Sequence, residues 1–416
     1  MTKYGAIVRL LCPVAALLLL GLVGTSCQMR SSRSDEISAA NVPPASAPLD
    51  GAELASVGLE ELWYIAADRG ASQVVAASLV DGLFVATEPT TRRGKLMRLN
   101  RDTGVPLWAF DLDAALTRPP TVYRYPAGTE GRPDEVYFTQ LDTVYVLDYK
   151  YGDLLRSSDL AFSVSTGIAA VADRYFVGSD DENVYGVSKA LQTEEWRHRT
   201  GGGLQGTPVV AGNGVVAASR DGSIYRLSTV AGWNQDTSWR FETSAPIVAD
   251  PVVYSQWVLV GSMDYKLYCL SLRDGTRAWD FLAESPIEQS PVVYSYRPGK
   301  DIVLCIGVDR GSRRAKHTLF AVDLASGEPM WRSEGVRQVV SLGRDNLYVL
   351  NDPSVGKGRT LTALNVLTGK ERFHLDVSDF HFAPTNLADF GRNRTQRGQI
   401  FLVARDGSIQ AITEKF

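Results

Sequence analysis

The stretch LFAVDLASGEPMW (residues 319–331) alternates apolar and polar residues, breaks at Ser326-Gly327 and reaches a tryptophan four residues beyond the glycine. Strict alternation is the pattern of a strand with one face buried. The glycine supplies the positive φ that a tight hairpin turn demands. The stretch therefore predicts a hairpin whose outer strand carries Trp331. The same arrangement recurs along the chain: MRLNRDTGVPLW ends at Trp108, YCLSLRDGTRAW at Trp279 and TALNVLTGKERF at Phe373, each aromatic four residues past Gly104, Gly275 or Gly369. Weaker copies put Arg156 in the aromatic's place, Gln192 in the glycine's place before Trp196, and an expanded turn before Trp239.

Two more short apolar runs precede each copy, as in TPVVAGNGVVAASRDGSIYRLS (residues 207–228), so the repeating unit is four strands, A to D. The hairpin ends at positions 63, 108, 156, 196, 239, 279, 331 and 373 step by 40 to 52 residues, the period of β-propeller blades. The two termini are complementary. RGQIFLVARDGSIQAI, near the C-terminus, supplies inner strands with no tryptophan hairpin after them, and GLEELWYIA supplies a lone Trp63 strand with nothing before it. Pairing them closes an eight-bladed ring without an open sheet edge. The expected fold is thus an all-β, eight-bladed propeller of four-stranded antiparallel blades over residues 58–416. Trp63, Trp108, Trp196, Trp239, Trp279, Trp331 and Phe373 would fill the wedges that widen between twisted blades. At about 25 cal/mol per Å² over roughly 150–250 Å² of ring, each contributes several kcal/mol of adhesion.

With 416 residues, 44% hydrophobic content and 37 glycines, the chain has ample core. A net charge of −4 and the absence of a long basic run argue against nucleic acid as a partner. At the N-terminus, Lys3 and Arg9 flank a short charged region, residues 10–23 are almost wholly apolar, and small residues precede Cys27. That pattern resembles a bacterial lipoprotein signal over residues 1–26, with Cys27 as the lipidated first residue of the mature chain; an ordinary secretory signal is the alternative. Removing Lys3 and Arg9 takes the charge from −4 to −6. Residues 27–57, rich in Ser, Ala and Pro, read as a disordered tether. Cys269 and Cys305 sit in apolar runs and read as buried free thiols, with one disulfide as the alternative.

The D-x-x-T/S-G-x-x-x-W hairpin, preceded by strands of the form PVV and VYVGS-DG-vyAL, resembles the tryptophan-docking repeat of the quinoprotein (PQQ-like) propellers. Together with a lipoprotein signal, a short tether and a single eight-bladed domain, it is similar to the BamB family of lipoprotein scaffolds in the outer-membrane β-barrel assembly machine. The resemblance implies a monomeric, non-enzymatic protein-binding propeller, anchored in the membrane by its lipid on the periplasmic side of the outer membrane, with protein partners in the barrel-assembly machinery. That family contacts its partner through a Leu-x-Leu-Arg loop and an Asp-x-Asp segment. Here Ala161-Phe162-Ser163-Val164-Ser165 and Gly203-Leu204-Gln205-Gly206 stand at those places, so the resemblance carries over the scaffold but not its contacts.

Catalytic signals are sparse, and neither cofactor nor metal is expected. A quinone enzyme of the resembling group carries a vicinal cysteine pair and an acidic metal constellation, and this chain has neither motif. His198, His317, His374 and His381 are dispersed without ligand spacing, and Ser179–Asn183 (SDDEN) aligns with neighbouring B-to-C turns. The alternatives to a scaffold are an enzyme using the axial channel and a polysaccharide-binding propeller. Addition of PQQ and calcium, read by absorbance and melting temperature, separates the first of these from a scaffold.

Loop chemistry marks one end of the ring. The B-to-C loops of blades 1, 6 and 7 are basic, with Arg92, Arg93 and Lys95; Arg310, Arg313, Arg314 and Lys316; and Lys357 and Arg359. Around a closed ring these blades are near neighbours, while the acidic loop of Asp180, Asp181 and Glu182 belongs to blade 3. The expectation is a polarised face with a basic arc for an acidic protein segment or a polyanionic polymer. Trp233, outside the docking register, reads either as an exposed anchor or as a loop plug.

Overall fold

The computed structural model describes residues 46–66, 73–79, 81–88, 94–116, 118–129, 131–297, 300–311, 315–351, 358–386 and 398–415. The described residues form one compact unit. Within it the expected eight-bladed propeller forms. Among the described residues, seven sheets have four antiparallel strands in sequence order. They span residues 74–112, 121–159, 169–199, 209–242, 252–282, 292–334 and 336–376, called blades 1 to 7.

Blade 8 is built from both chain ends. Strand Leu59–Ile65 pairs with Ile409–Glu414, which pairs with Ile400–Val403. Trp63 lies opposite Ala411, and Leu59 opposite Glu414. The innermost strand of this blade is reduced to one bridge, Phe382 to Val403. Glu414 latches the closure, accepting bonds from the Arg344 amide, Asn346 Nδ2 and Tyr348 Oη, each at 2.8 Å.

Second strands such as Leu83–Thr87 and Glu135–Gln140 are buried along their whole length, because each blade is covered on both sides by its neighbours. The core therefore lies between blades: Phe84, Trp108 and Leu112 of blade 1 pack with Val136, Phe138 and Leu147 of blade 2. Near the axis the blades are stitched by side chains, with Asp250 Oδ1 accepting from the Thr207 amide at 2.7 Å and Ser290 Oγ from the Asp250 amide at 3.1 Å.

The tryptophans do more than fill wedges. Each indole lies on the C-to-D turn of the following blade and donates its ring N–H to a carbonyl there. Trp63 reaches Arg101, Trp108 reaches Tyr149, Trp196 reaches Thr229, Trp239 reaches Leu272, Trp279 reaches Leu324 and Trp331 reaches Val366, at 2.8–3.3 Å. The turn glycine under each ring has φ between +67° and +76°. A Cβ on any of these glycines would lie 2.5–2.9 Å from the incoming indole, inside van der Waals contact. The residue is thus fixed twice, by the left-handed backbone and by the ring that covers it. Phe373 instead packs with Leu54 and Val57 at the joint between blades 7 and 8.

That joint corrects one boundary. The tether was expected to run to residue 57, yet the chain is packed from Ser46 onward. Ser46 N–H donates to Asp406 Oδ2 at 2.6 Å, Leu49 N–H to Gln410 Oε1 at 2.9 Å, and Asp50 caps a short helix, α1 (Gly51–Ser56). Leu54 of α1 is fully buried among Leu375, Ile400 and Ile412. A composition average over the segment hides Leu54 and the partly buried Leu49 and Val57 that pack against the same core. No helix among the described residues is long and apolar enough to cross a membrane. Cys269 and Cys305 are buried free thiols, which burial pushes up to about 12.

Candidate functional site

In every blade the B-to-C and D-to-A connections share one end of the ring, the upper face. Its turns repeat one construction. Asp181, Asp221 and Asp264 of blades 3, 4 and 5 each accept from the tyrosine four residues on, Tyr185, Tyr225 or Tyr268, at 2.5–2.7 Å. The amides of the same three aspartates donate to Ser179, Ser219 and Ser262 at 3.2 Å. Residues 179–183 are therefore one member of a repeated turn.

Of the basic arc, Arg92, Arg93, Arg313, Arg314 and Lys357 lie outside the described residues, as does Cys27. Lys95 and Lys316 prove to be exposed residues in strands Gly94–Leu99 and Lys316–Asp323, paired opposite Asp111 and Asp309 rather than standing in loops. Arg310 is held bidentately by Glu288, Nε to Oε1 at 2.9 Å and Nη2 to Oε2 at 2.5 Å, which offsets its charge. Arg359 is half-buried and donates to the Phe380 carbonyl.

Arg359 opens the feature that the loops alone did not reveal. Near the axis on the upper face, blades 7, 8 and 1 enclose a cleft of about 340 Å³. Arg359 and Arg337 come from blade 7, His381 from the connection between blades 7 and 8, and Arg405 from the B-to-C turn of blade 8. Among the described residues no carboxylate lines it. Its wall is fixed by Gln338, whose Nε2 donates to the Ala383 carbonyl at 2.9 Å and to Thr385 Oγ1 at 3.0 Å. Burial holds His381 below its usual range, helped by the charges of Arg405 and Arg359 and opposed by Asp379 and Asp406. Such a cleft suits an anion: three guanidiniums offer forked donors, and His381 adds an imidazole beside them. Arg405 occupies the turn position that Asp180 holds in blade 3, so aligning B-to-C turns residue by residue would have exposed the polarity. Arg337 and His381 carry no comparable signal, because the D-to-A segments differ from blade to blade.

At the two places where the resembling family makes its contacts, the loops lie flat. Phe162 stacks on Tyr185 at 3.5 Å, and Leu204 is fully buried, its amide donating to the Ser179 carbonyl at 3.0 Å. Gly203 lets this loop settle onto blade 3, since a Cβ there would sit 3.1 Å from Asp180. On the lower face Trp233, 42% exposed, stacks on His198 at 5.3 Å, and His374 Nδ1 lies 2.8 Å from Glu371.

Residues 141–238 match the model of a PQQ-repeat family described as outer membrane protein assembly factor BamB. No curated protein matches the chain. Among solved structures, BamB from Moraxella catarrhalis superposes with a TM-score of 0.59 at 13% identity, over 85% of this chain and 99% of that one. The computationally designed Ika8 protein superposes as well, with a TM-score of 0.58 at 14% identity and the same coverages. At such identities the likeness is one of fold, and a designed protein meeting it equally shows how much of the geometry belongs to the repeat itself. The chain is an eight-bladed propeller whose fold resembles that of BamB and whose residues 141–238 match the PQQ-repeat model.

Proposed function

We propose that this protein is a non-enzymatic, membrane-tethered scaffold of the bacterial envelope that binds a protein partner in outer-membrane β-barrel assembly. The observation that supports the reading is the match of residues 141–238 to the assembly-factor model. A lipid on Cys27 would hold the protein at the periplasmic side of the outer membrane. Its partner surface is the upper face, where Arg337, Arg359 and Arg405 line the axial cleft and Lys95 and Lys316 stand exposed at neighbouring blades. Arg92, Arg93, Arg313, Arg314 and Lys357 belong to the same loops. An acidic segment of the partner is the complementary ligand.

Depletion of the protein in its own cells tests the reading, with outer-membrane β-barrel protein levels as the measurement. A drop restored by the wild-type gene, but not by Cys27→Ser, is expected. Unchanged barrel protein levels after complete depletion would remove the assembly role. The face is tested separately by changing Arg337, Arg359 and Arg405 to Ser, which should weaken partner crosslinking in a salt-sensitive way. Crosslinking that keeps its yield and its salt dependence would move the partner elsewhere.

A further inference from the structure

The joint between blades 2 and 3 is built differently from the six that an indole closes. The docking position in strand Leu154–Asp159 is Arg156, and the turn position in blade 3 is Gln192, which keeps the left-handed backbone at φ +57° without being glycine. Arg156 does not lie across that turn. It reaches inward to Glu135, and its Nη2 stands 3.1 Å from Tyr137 Oη. Glu135, 2% exposed, takes its second cation from across the joint, Lys189 Nζ at 2.7 Å. The ammonium of Lys189 also sits 4.1 Å from the centre of the Tyr123 ring and 5.2 Å from that of Tyr125. Burial, assisted by the neighbouring Arg156 charge, pushes this lysine down to about 8.

No indole of the described residues lies on this turn, and a cavity of about 410 Å³ lies beside Lys189 and Ala190, on the lower face. Its floor carries two cations against one carboxylate, and Arg132 adds a third cation at the rim. Asp173, also at the rim, is taken by Arg174 at 2.8 Å. Leu155 on the wall is 38% exposed, and Leu191 on the adjoining turn is 72% exposed. Six other joints of this molecule demonstrate what shape fits such a place: a flat ring lying on a C-to-D turn. The surplus positive charge says what should flank the ring.

We propose that the joint between blades 2 and 3 is a binding cleft for an acidic peptide segment of a partner protein, whose aromatic side chain lies over residues 189–192 in the place of the missing indole and whose carboxylates meet Lys189, Arg156 and Arg132. The inference rests on the protein-binding reading but on the opposite face from the axial cleft. Its test requires no assembly phenotype, so the two can fail separately.

The test is calorimetry of the full-length protein in detergent with three synthetic probes: acetyl-Asp-Trp-Asp-Glu-amide, acetyl-Ser-Trp-Ser-Ser-amide and acetyl-Asp-Ala-Asp-Glu-amide. The first should bind at least tenfold more tightly than either of the others. Arg156→Trp combined with Gln192→Gly rebuilds the docking pair, fills the cleft and should weaken the first probe at least tenfold. Leu155→Asp, on the exposed wall, should do the same even if the double variant folds poorly. Equal binding of the three probes, or undiminished binding by a folded Leu155→Asp protein, would overturn the proposal.

Discussion

Comparing the joint between blades 5 and 6 with that between blades 2 and 3 shows two solutions to one packing problem. At the first, Trp279 lies on Gly327 and bonds the Leu324 carbonyl, so adhesion comes from apolar area and one satisfied N–H. At the second, the blades are stitched by Lys189 and Glu135, with Arg156 drawn in to balance the site. The indole needs no partner beyond a glycine and a carbonyl, and can be repeated. The ion pair costs desolvation at both charges and succeeds only because Tyr137 and Arg156 satisfy the remaining lone pairs of Glu135. It also leaves the wedge open. Here both halves of the docking pair, the tryptophan and the turn glycine, are replaced, by Arg156 and Gln192.

The largest effect should come from removing a plug. Trp279→Ala deletes a ring packed in the core shared by blades 5 and 6, and should lower unfolding stability by about 4 kcal/mol, measured by chemical denaturation. A loss below about 1 kcal/mol would show that the indoles are ornaments on a ring held by its strands. Arg156→Ala is the wrong counterpart, because Glu135 keeps Lys189. Glu135→Gln is the right one. It leaves the buried Lys189 and the half-buried Arg156 facing each other without their carboxylate and should cost about 3 kcal/mol by the same measurement. A tolerated Glu135→Gln would mean that the joint is held by its aromatic and apolar contacts alone.

These two joints also mark how far the sequence could be read. The eight blades, the closure by Trp63 and the left-handed turn glycines were legible because each is encoded within a dozen residues and repeated. Arg156 and Gln192 were visible as departures, but in separate copies of the repeat. That they belong to one joint became apparent only when docking proved to join strand D of one blade to the turn of the next. Glu135 and Lys189, 54 residues apart, share no motif that would pair them. The basic arc shows the same limit. Arg310 looked available until Glu288, 22 residues upstream, was found against it, while the cleft gathers Arg337 from a first strand and Arg359 and Arg405 from two B-to-C connections.

A smaller contrast should appear on titration. The folded state lowers Lys189 from 10.5 to about 8, through burial first and the Arg156 charge as well, so it favours the neutral amine. Below pH 8 both folded and unfolded chains hold the proton, and the penalty is constant. Between pH 8 and 10 the unfolded chain holds more protons, so this group adds stability as pH rises. Glu135 has the same sign in the acid range: against the opposing cost of burial it is lowered by the bonds from Lys189, Tyr137 and Arg156, so it contributes stability above its unfolded value that is lost as pH falls through the folded one. Comparing wild type with Lys189→Met from pH 7 to 10 cancels the tyrosines common to both. A rise in stability confined to wild type is expected, and parallel curves would place Lys189 in an ordinary solvated setting.

The smallest expected effect is the most discriminating, because it asks what a turn residue is for. Gln192→Gly should relieve a left-handed backbone strain of about 1 kcal/mol. Against that stand the extra freedom glycine has in the unfolded chain, roughly 0.5–1 kcal/mol, and the loss of the bond from Gln192 Nε2 to the Lys189 carbonyl at 2.5 Å. The terms nearly cancel, so stability should change by less than about 1 kcal/mol in either direction. The reciprocal change at a docked turn, Gly275→Gln, meets the same φ but also the Trp239 ring, 2.6 Å from the new Cβ, and should lose far more. If the two swaps cost alike, the left-handed backbone alone explains the glycines. If only Gly275→Gln is severe, the ring above the turn is what requires the glycine, and Gln192 is tolerated because no indole of the described residues lies over it.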